Sequence, residues 1–128
     1  MTLSRFLYKV IPALLWSGMI FFLCFLPGSK IPKEDWLDKI YFDKIVHAGL
    51  YFILFFLLLR IPFQINIKTI LLAIIFCMVQ GIIIELVQGS SWIEHRSFDA
   101  WDIVANFFGL MFACTLYYFK LLPVHRNK

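Results

Sequence analysis

The chain has 128 residues, of which 62% are hydrophobic and only 16% are charged. A soluble domain is nearer half apolar and a quarter charged, so this composition excludes an ordinary soluble domain and predicts an integral membrane protein of one domain. The formal net charge of +4 does not indicate a nucleic-acid partner, because the basic residues flank apolar segments, as the positive-inside rule describes.

The first apolar segment is predicted to be a membrane helix over residues 8–26, which Pro27 and Gly28 end. Arg5 precedes it and Lys9 lies at its start, as basic residues also precede the apolar region of a secretory signal peptide. The segment is longer than the ~7–15 residues of such a region, and no cleavage site with small residues follows it. We therefore expect a retained membrane helix.

The loop that follows, residues 28–42, carries Trp36, Leu37, Ile40 and Tyr41 at helical spacing, with charged residues between them. This pattern is typical of a short helix lying in the headgroup region of a membrane. A solvated connector with aromatic anchors explains it equally well, so both interpretations stay open.

Three further apolar segments are predicted to span the membrane, over residues 44–60, 68–88 and 100–122. Each reaches the ~17–25 residues that a spanning helix needs, and the shortest of them could start earlier, near Leu37. Open strands are excluded because their edges would be left unpaired in lipid. The sequence thus predicts an all-α membrane protein, with four transmembrane helices in one bundle over residues 1–128.

The distribution of charge predicts the orientation of this bundle. With four spans, the N-terminus, the turn between the second and third helices and the C-terminus share one side. The other side carries all the acidic residues of the chain. Since basic residues favour the cytoplasm, we expect both termini to be cytoplasmic and both polar loops to lie outside. The basic residues of the terminal side are Arg5, Lys9, Arg60, Lys68, Lys120, Arg126 and Lys128.

Polar residues recur at helical spacing on the last three predicted helices, at the outer end of each. Residues at such spacings lie on one face of a helix. A carboxylate that faces lipid costs several kcal/mol, roughly, so we expect these stripes to face one another and to line a pocket open to the outside. The stripes are Asp43, His47 and Tyr51, then Gly81, Glu85 and Gln88, then Asp99, Asp102 and Asn106.

The turn before the fourth helix adds a cation and a cap. Arg96 is expected to hold a nearby carboxylate or an anionic group of a ligand. Ser97 or Asp99 would cap the fourth helix. Gly109 and Ala113, one helical turn apart, would allow another helix to approach closely.

Each polar residue also has a purely structural interpretation. Asp43 and Lys44 could form an interfacial ion pair, Tyr51 could be an aromatic packing residue, and Gln88 could form interhelical hydrogen bonds, as could Asn106. Glu85 is harder to explain in this way, because no basic residue shares its helical stripe. Ionisable groups within membrane helices mark function by default, so we prefer a functional site.

The order and spacing of these residues resemble the VanZ-like family. The resemblance covers the last three helices, and Ala113 stands where the family pattern often has a second glycine. It implies a small four-helix protein of the bacterial cytoplasmic membrane, in a family named for a member linked to teicoplanin resistance. The motifs are Asp43-Lys44-x-x-His47-x-x-x-Tyr51, Gly81-x-x-x-Glu85-x-x-Gln88 and Arg96-x-x-Asp99-x-x-Asp102-x-x-x-Asn106-x-x-Gly109.

Our first functional hypothesis is a protein that binds or modifies a membrane lipid, a lipid-linked wall precursor or a glycopeptide antibiotic. As an enzyme it would use Glu85 or Asp102 as general base, His47 as acid or base, and Arg96 as a clamp for an anion. Other polar residues near these would bind the ligand, and they are Asp43, Lys44, Tyr51, Gln88, Asp99 and Asn106.

Two other hypotheses use the same residues. His47, Glu85, Asp99 and Asp102 offer an imidazole and carboxylates that suit Zn, Mn or Mg. Alternatively, the polar cluster only locks the helices together. A channel or transporter is disfavoured because the polar residues stay in one half of the bundle, apart from Gln80. The sequence identifies no cofactor.

Overall fold

A computed structural model of the chain describes residues 3–27, 41–93 and 96–121. It contains four α-helices: α1 (Leu3–Cys24), α2 (Phe42–Leu59), α3 (Ile67–Gln88) and α4 (Ala100–Leu116). A π-helical turn over Tyr117–Leu121 continues α4. These described ranges contain no strand, so the predicted all-α architecture is confirmed.

All four helices are long and apolar enough to cross a membrane, the fourth over Ala100–Phe119. Large apolar side chains such as Leu15, Phe108 and Phe112 are exposed on the outside of the bundle. This surface indicates a multi-pass membrane protein, because lipid would cover it. The predicted orientation stays a prediction. The interfacial helix predicted within residues 28–42 falls almost wholly outside the described residues.

The helix boundaries differ from the predicted ones mainly at α1 and α2. α1 begins at Leu3 instead of residue 8, because the helix continues through the basic residues that precede the apolar segment. α2 begins at Phe42, after Tyr41 in the left-handed conformation (φ 51°, ψ 45°). This conformation interrupts a right-handed helix between Tyr41 and Phe42. Leu37, the alternative start, lies outside the described residues.

Side-chain caps fix the starts of the last two helices. Asn66 Oδ1 accepts a hydrogen bond from the backbone N–H of Thr69 at 3.1 Å, and Thr69 Oγ1 accepts one from the N–H of Asn66 at 2.9 Å. This reciprocal pair is a capping box, and it sets the start of α3. At α4, Asp99 Oδ1 accepts from the N–H of Trp101 at 2.8 Å. Of the two predicted caps, Asp99 is therefore the one used.

The closest helix packing joins α2 to α4. A Cβ built on Gly109 would lie 2.8 Å from the carbonyl carbon of Ala48 and 2.9 Å from its Cα. Only a glycine therefore lets the two backbones approach this closely, which confirms the prediction for Gly109. This contact sets the separation of α2 and α4 one turn below the polar residues.

Hydrogen bonds tie α1 to the other helices at mid-height. The Trp16 indole donates to the carbonyl oxygen of Leu50 at 2.9 Å, and Ser17 Oγ donates to Gln80 Oε1 at 2.9 Å. Gln80, the polar residue set apart from the stripes, thus has a structural partner. The largest fully buried side chains around these contacts are Tyr51, Phe55, Ile20, Leu54, Ile84 and Leu110.

The helix ends give the bundle two chemically different ends. The amino ends of α2 and α4 meet the carboxyl ends of α1 and α3 at one of them. We call this the acidic end, with Asp43, Glu85, Asp99 and Asp102. The opposite end is the basic end, with Arg5, Lys9, Arg60 and Lys68.

Candidate functional site

Lys44 is the hub of the acidic end. Its Nζ lies 2.8 Å from Asp43 Oδ2 and 2.5 Å from Asp99 Oδ2, and it also contacts Asp102 Oδ1. These contacts join the first turn of α2 to the N-cap and first turn of α4. Since the side chain of Lys44 is only 20% exposed, the ion pairs are partly shielded from solvent.

His47 lies one turn deeper, between two residues of α4. Its Nδ1 is 3.2 Å from Asn106 Oδ1, and its Nε2 is 3.6 Å from Asp102 Oδ2. The amide oxygen of Asn106 only accepts hydrogen bonds, so the proton of this contact lies on Nδ1 of His47. The other ring nitrogen, Nε2, then faces Asp102 with its lone pair or with a second proton. Asn106 therefore fixes the tautomer of an imidazole whose reactive nitrogen faces a carboxylate.

Glu85 is fully buried, and half of its carboxylate is unpartnered. The backbone N–H of Asp99 donates to Glu85 Oε2 at 3.0 Å. Oε1 has no hydrogen-bond partner among the described residues, although Glu85 is 0% exposed. A buried acceptor of this kind costs roughly 1–3 kcal/mol, and more when it is charged. Such groups in a native structure mark a place where a ligand, an ion or a proton is expected.

The second unpartnered buried atom belongs to Tyr51. Its hydroxyl is buried without a hydrogen-bond partner among the described residues. Gly81 lies beside it, and a Cβ built there would be 3.4 Å from the Tyr51 oxygen and 2.9 Å from Asn106 Nδ2. Gly81 thus leaves room for two polar groups next to the helical stripe that carries Glu85.

The remaining predicted site residues, Gln88 and Arg96, hold the end of α1. Gln88 Nε2 donates to the carbonyl oxygen of Cys24 at 2.7 Å, and Arg96 Nε donates to that of Leu26 at 3.2 Å. Neither contacts the carboxylates of the cluster. The cation that pairs with these acids is Lys44, whereas the sequence pointed to Arg96 for this role.

The three polar stripes do converge, but they form a packed cluster. His47, Glu85 and Asp102 each offer a ligand atom, and these atoms all lie within 4.8 Å of one another. His47 and Asp102 are 8% and 7% exposed. A cavity of about 980 Å³ lies at the basic end of the molecule. The convergence is thus confirmed, and the pocket open to the outside stays a prediction.

The rim consists of Asp43, whose side chain is 63% exposed, and Asp99, which is 39% exposed. The hydrogen bond from Lys44 lowers the pKa of Asp99 below its ordinary value of 3.8, and the backbone N–H of Trp101 lowers it further. Asp99 therefore stays ionised at any physiological pH. Among the described residues, the acidic end has the four carboxylates of Asp43, Glu85, Asp99 and Asp102 but only the two basic side chains of Lys44 and Arg96.

This excess of acidic side chains determines which sign of charge a ligand can carry at the acidic end. Asp43, Asp99 and Asp102 contact Lys44, whereas Arg96 donates to the carbonyl oxygen of Leu26 in the chain after α1. A positively charged group or a divalent cation is attracted there, while a phosphate would meet like charges. Two ligands of one zinc ion, each at about 2.0–2.2 Å, are at most about 4.4 Å apart. The spacing of His47, Glu85 and Asp102 is thus compatible with a metal after a small contraction.

Two features of the site were not evident in the sequence. The links of Gln88 and Arg96 to backbone carbonyls of the α1 end leave no trace in residue spacing, because carbonyl groups occur at every position. The central role of Lys44 had a signal, its place beside Asp43 at a helix start, but that signal also fits a surface pair. Comparison of the chain with protein-family models, curated proteins and solved structures finds no match.

Proposed function

We propose that this is a bacterial membrane protein whose acidic end binds, and acts on, a ligand taken from the cell envelope. The ligand is an envelope lipid, a lipid-linked wall precursor or a glycopeptide, in keeping with the resemblance of the three motifs to the VanZ-like family. The observation that carries the proposal is Glu85 Oε1, a fully buried carboxylate oxygen without a partner in the part of the chain that the structure describes. A ligand that supplies a hydrogen-bond donor or a cation would remove this desolvation cost.

The charge of the cluster narrows the class of ligand. Because carboxylates exceed cations at the acidic end, the group that reaches Glu85 is cationic or donates a hydrogen bond. An ammonium group of a lipid headgroup, of a peptide or of an amino sugar fits this requirement. The exposed rim formed by Asp43 and Asp99 would attract the same group before it enters the cluster.

The geometry also supports proton transfer. His47 Nε2 faces Asp102, while Asn106 holds Nδ1, so the imidazole can accept a proton at Nε2 and the resulting cation is stabilised by the Asp102 carboxylate. Lys44 offsets the charge of Asp102 from the other side. In an enzymatic reaction His47 would therefore act as the base, and Glu85 would position the ligand.

The test uses cells that produce the protein and are exposed to teicoplanin. Glu85→Gln and Asp102→Asn are compared with wild type at equal membrane levels. Gln80→Ala is the matched control, because Gln80 is also a buried polar residue but bonds only to Ser17 of α1. Loss of protection in the two site variants, with retention in the control, supports the proposal. Full protection by both site variants contradicts it.

A divalent-metal site is the second candidate, favoured by the ligand atoms of His47, Glu85 and Asp102. A metal would satisfy Glu85 Oε1 and accept the Nε2 lone pair of His47. When bound, it would supply Lewis-acid chemistry at this end of the bundle. Elemental analysis of purified protein tests this candidate: near-stoichiometric metal that is lost in His47→Ala supports it, and substoichiometric metal in wild type rules it out.

A structural role is the third candidate, and interhelical hydrogen bonds favour it. The pairs Asp99–Glu85 and His47–Asn106 join α4 to α3 and α2. Under this view the cluster is a polar lock, and substitutions with apolar residues of similar size would preserve both fold and phenotype. Asp102→Leu that folds normally and still protects cells would favour the lock over the binding site.

A further inference from the structure

The basic end of the bundle contains a cavity of about 980 Å³ that the proposed function does not use. It lies between the first turns of α1, the end of α2 and the turn that leads to α3. Three cationic side chains line it: Arg5, Lys9 and Arg60.

These cations have no acidic partner in the part of the chain that the structure describes. All four ion pairs among the described residues lie at the acidic end, around Lys44 and His47. The sequence has no acidic residue before Glu34 or after Asp102. A cavity lined by three cations without counter-charges attracts anions, and low-dielectric walls strengthen this attraction.

The position of Arg60 favours an oxyanion in particular. Its Cζ lies 5.9 Å from the centroid of the Tyr8 ring. This cation–π contact holds the guanidinium beside the cavity, and its fork of N–H donors matches the oxygens of a phosphate. Tyr8 thereby holds in place the one side chain best suited to a bidentate phosphate contact.

Apart from Ser4 and two tyrosines, the rest of the lining is apolar and includes Phe56, Leu59 and Phe63. Phe63 is 85% exposed and Tyr8 is 71% exposed, as expected for aromatic residues at a membrane interface. A free phosphate ion makes no use of such walls. An anionic phospholipid uses both parts, because its phosphate meets the cations while its glycerol and upper acyl chains meet the aromatic and aliphatic side chains.

We propose that this cavity is a binding site for an anionic phospholipid, with Arg60 as the main phosphate contact and Arg5 and Lys9 as supporting cations. The simplest competing explanation is that basic residues near any anionic membrane surface attract it without a site. That effect is about fivefold in affinity for each Lys or Arg and is similar for all of them. If a specific site exists, substituting a residue that lines it lowers the affinity for lipid much more than substituting a basic residue outside it.

Lys68 provides the matched control, because it lies at the same end of the bundle but does not line the cavity. Purified full-length protein in detergent is titrated with phosphatidylglycerol or with phosphatidylcholine, and lipid-bound species are counted by native mass spectrometry. Wild type is compared with Arg60→Gln, Lys9→Gln and Lys68→Gln. Thermal unfolding of each variant confirms that it is folded.

We expect wild type to prefer phosphatidylglycerol, and Arg60→Gln to weaken its binding about tenfold or more, as the loss of a charge-assisted contact does. Lys68→Gln should change binding less than about twofold, and Lys9→Gln should fall between the two. Equal losses in Arg60→Gln and Lys68→Gln, or no preference between the two lipids, would overturn the site. Competition by glycerol phosphate at the same concentration as the lipid would show a soluble phosphate ligand and overturn the assignment to a lipid.

Discussion

The backbone N–H of Asp99 donates a hydrogen bond to Oε2 of Glu85 at 3.0 Å, while Oε1 of the same carboxylate is buried and has no partner within residues 3–27, 41–93 and 96–121. The N-cap residue of α4 thus orients a carboxylate that lies near the end of α3. Oε2 accepts a hydrogen bond from the backbone, and Oε1 remains available to a ligand. The functional proposal depends on this division of the Glu85 carboxylate.

Replacing Glu85 should separate stability from function. Glu85→Gln keeps an acceptor for the Asp99 N–H but removes one negative charge from a cluster rich in acids. We expect the variant to be as stable as wild type, or up to about 1–3 kcal/mol more stable, because a desolvated charge is gone. Protection against teicoplanin should be lost. Thermal unfolding in detergent measures the first effect, and a marked drop in unfolding temperature would show that Glu85 is structural.

Lys44 and Asp43 form an ion pair, but their substitutions should have unequal effects. Lys44→Gln leaves the partly buried carboxylates of Asp99 and Asp102 without a cation, so we expect a loss of about 3 kcal/mol in unfolding free energy. Asp43→Asn removes only an exposed partner and should cost at most about 1 kcal/mol. Chemical denaturation of both variants gives the comparison. Similar small losses in both would mean that Lys44 is not the hub of the acidic end.

The close approach of α2 and α4 predicts a strong effect at Gly109. In Gly109→Ala the new methyl group would overlap the backbone of Ala48, which cannot move aside as a flexible side chain does. We expect a loss of about 1–3 kcal/mol or more. Gly49→Ala is the control, since a Cβ there meets nothing within 4 Å and alanine favours a helix by up to about 1 kcal/mol. Equal stability of the two variants would contradict the packing.

The Asp99–Lys44 pair should make stability depend on pH in the acid range. The folded-state pKa of Asp99 is lowered below 3.8, so the pair contributes fully above that pH and its contribution is lost as the pH falls below it. Asp99→Asn keeps a capping side chain without a titrating group. The difference in unfolding temperature between wild type and this variant should be constant from about pH 7 to about pH 4 and shrink below. A difference in unfolding temperature that grows as the pH falls would contradict this prediction.

The sequence predicted the helices better than the contacts of the site. The starts of α3 and α4 lie within a residue of their predicted positions, because Asn66 and Asp99 are caps at the edges of apolar segments. The convergence of His47, Glu85 and Asp102 was predictable as well, since lipid penalises each of them. The sequence could not predict that Lys44 is the cation that pairs with the carboxylates, because this depends on how α2 is rotated about its axis relative to α4.

The N-terminal helix shows a second limit of the sequence. Its contacts with α3 run through a serine, a glutamine and backbone carbonyls, as in the pairs Ser17–Gln80 and Gln88–Cys24. A serine in an apolar segment is common, and a carbonyl has no signature at all. The sequence could therefore predict that α1 spans the membrane, but not which residues of the other helices it contacts.

The central claim is that Glu85 holds a cation or a cationic group taken from the envelope. The most direct test is native mass spectrometry of the protein extracted from bacterial membranes, with wild type, Glu85→Gln and Gln80→Ala compared. We predict that wild type and Gln80→Ala retain the same bound species and that Glu85→Gln has lost it. Any lipid at the basic end would remain in all three. Identical spectra for wild type and Glu85→Gln would contradict the claim.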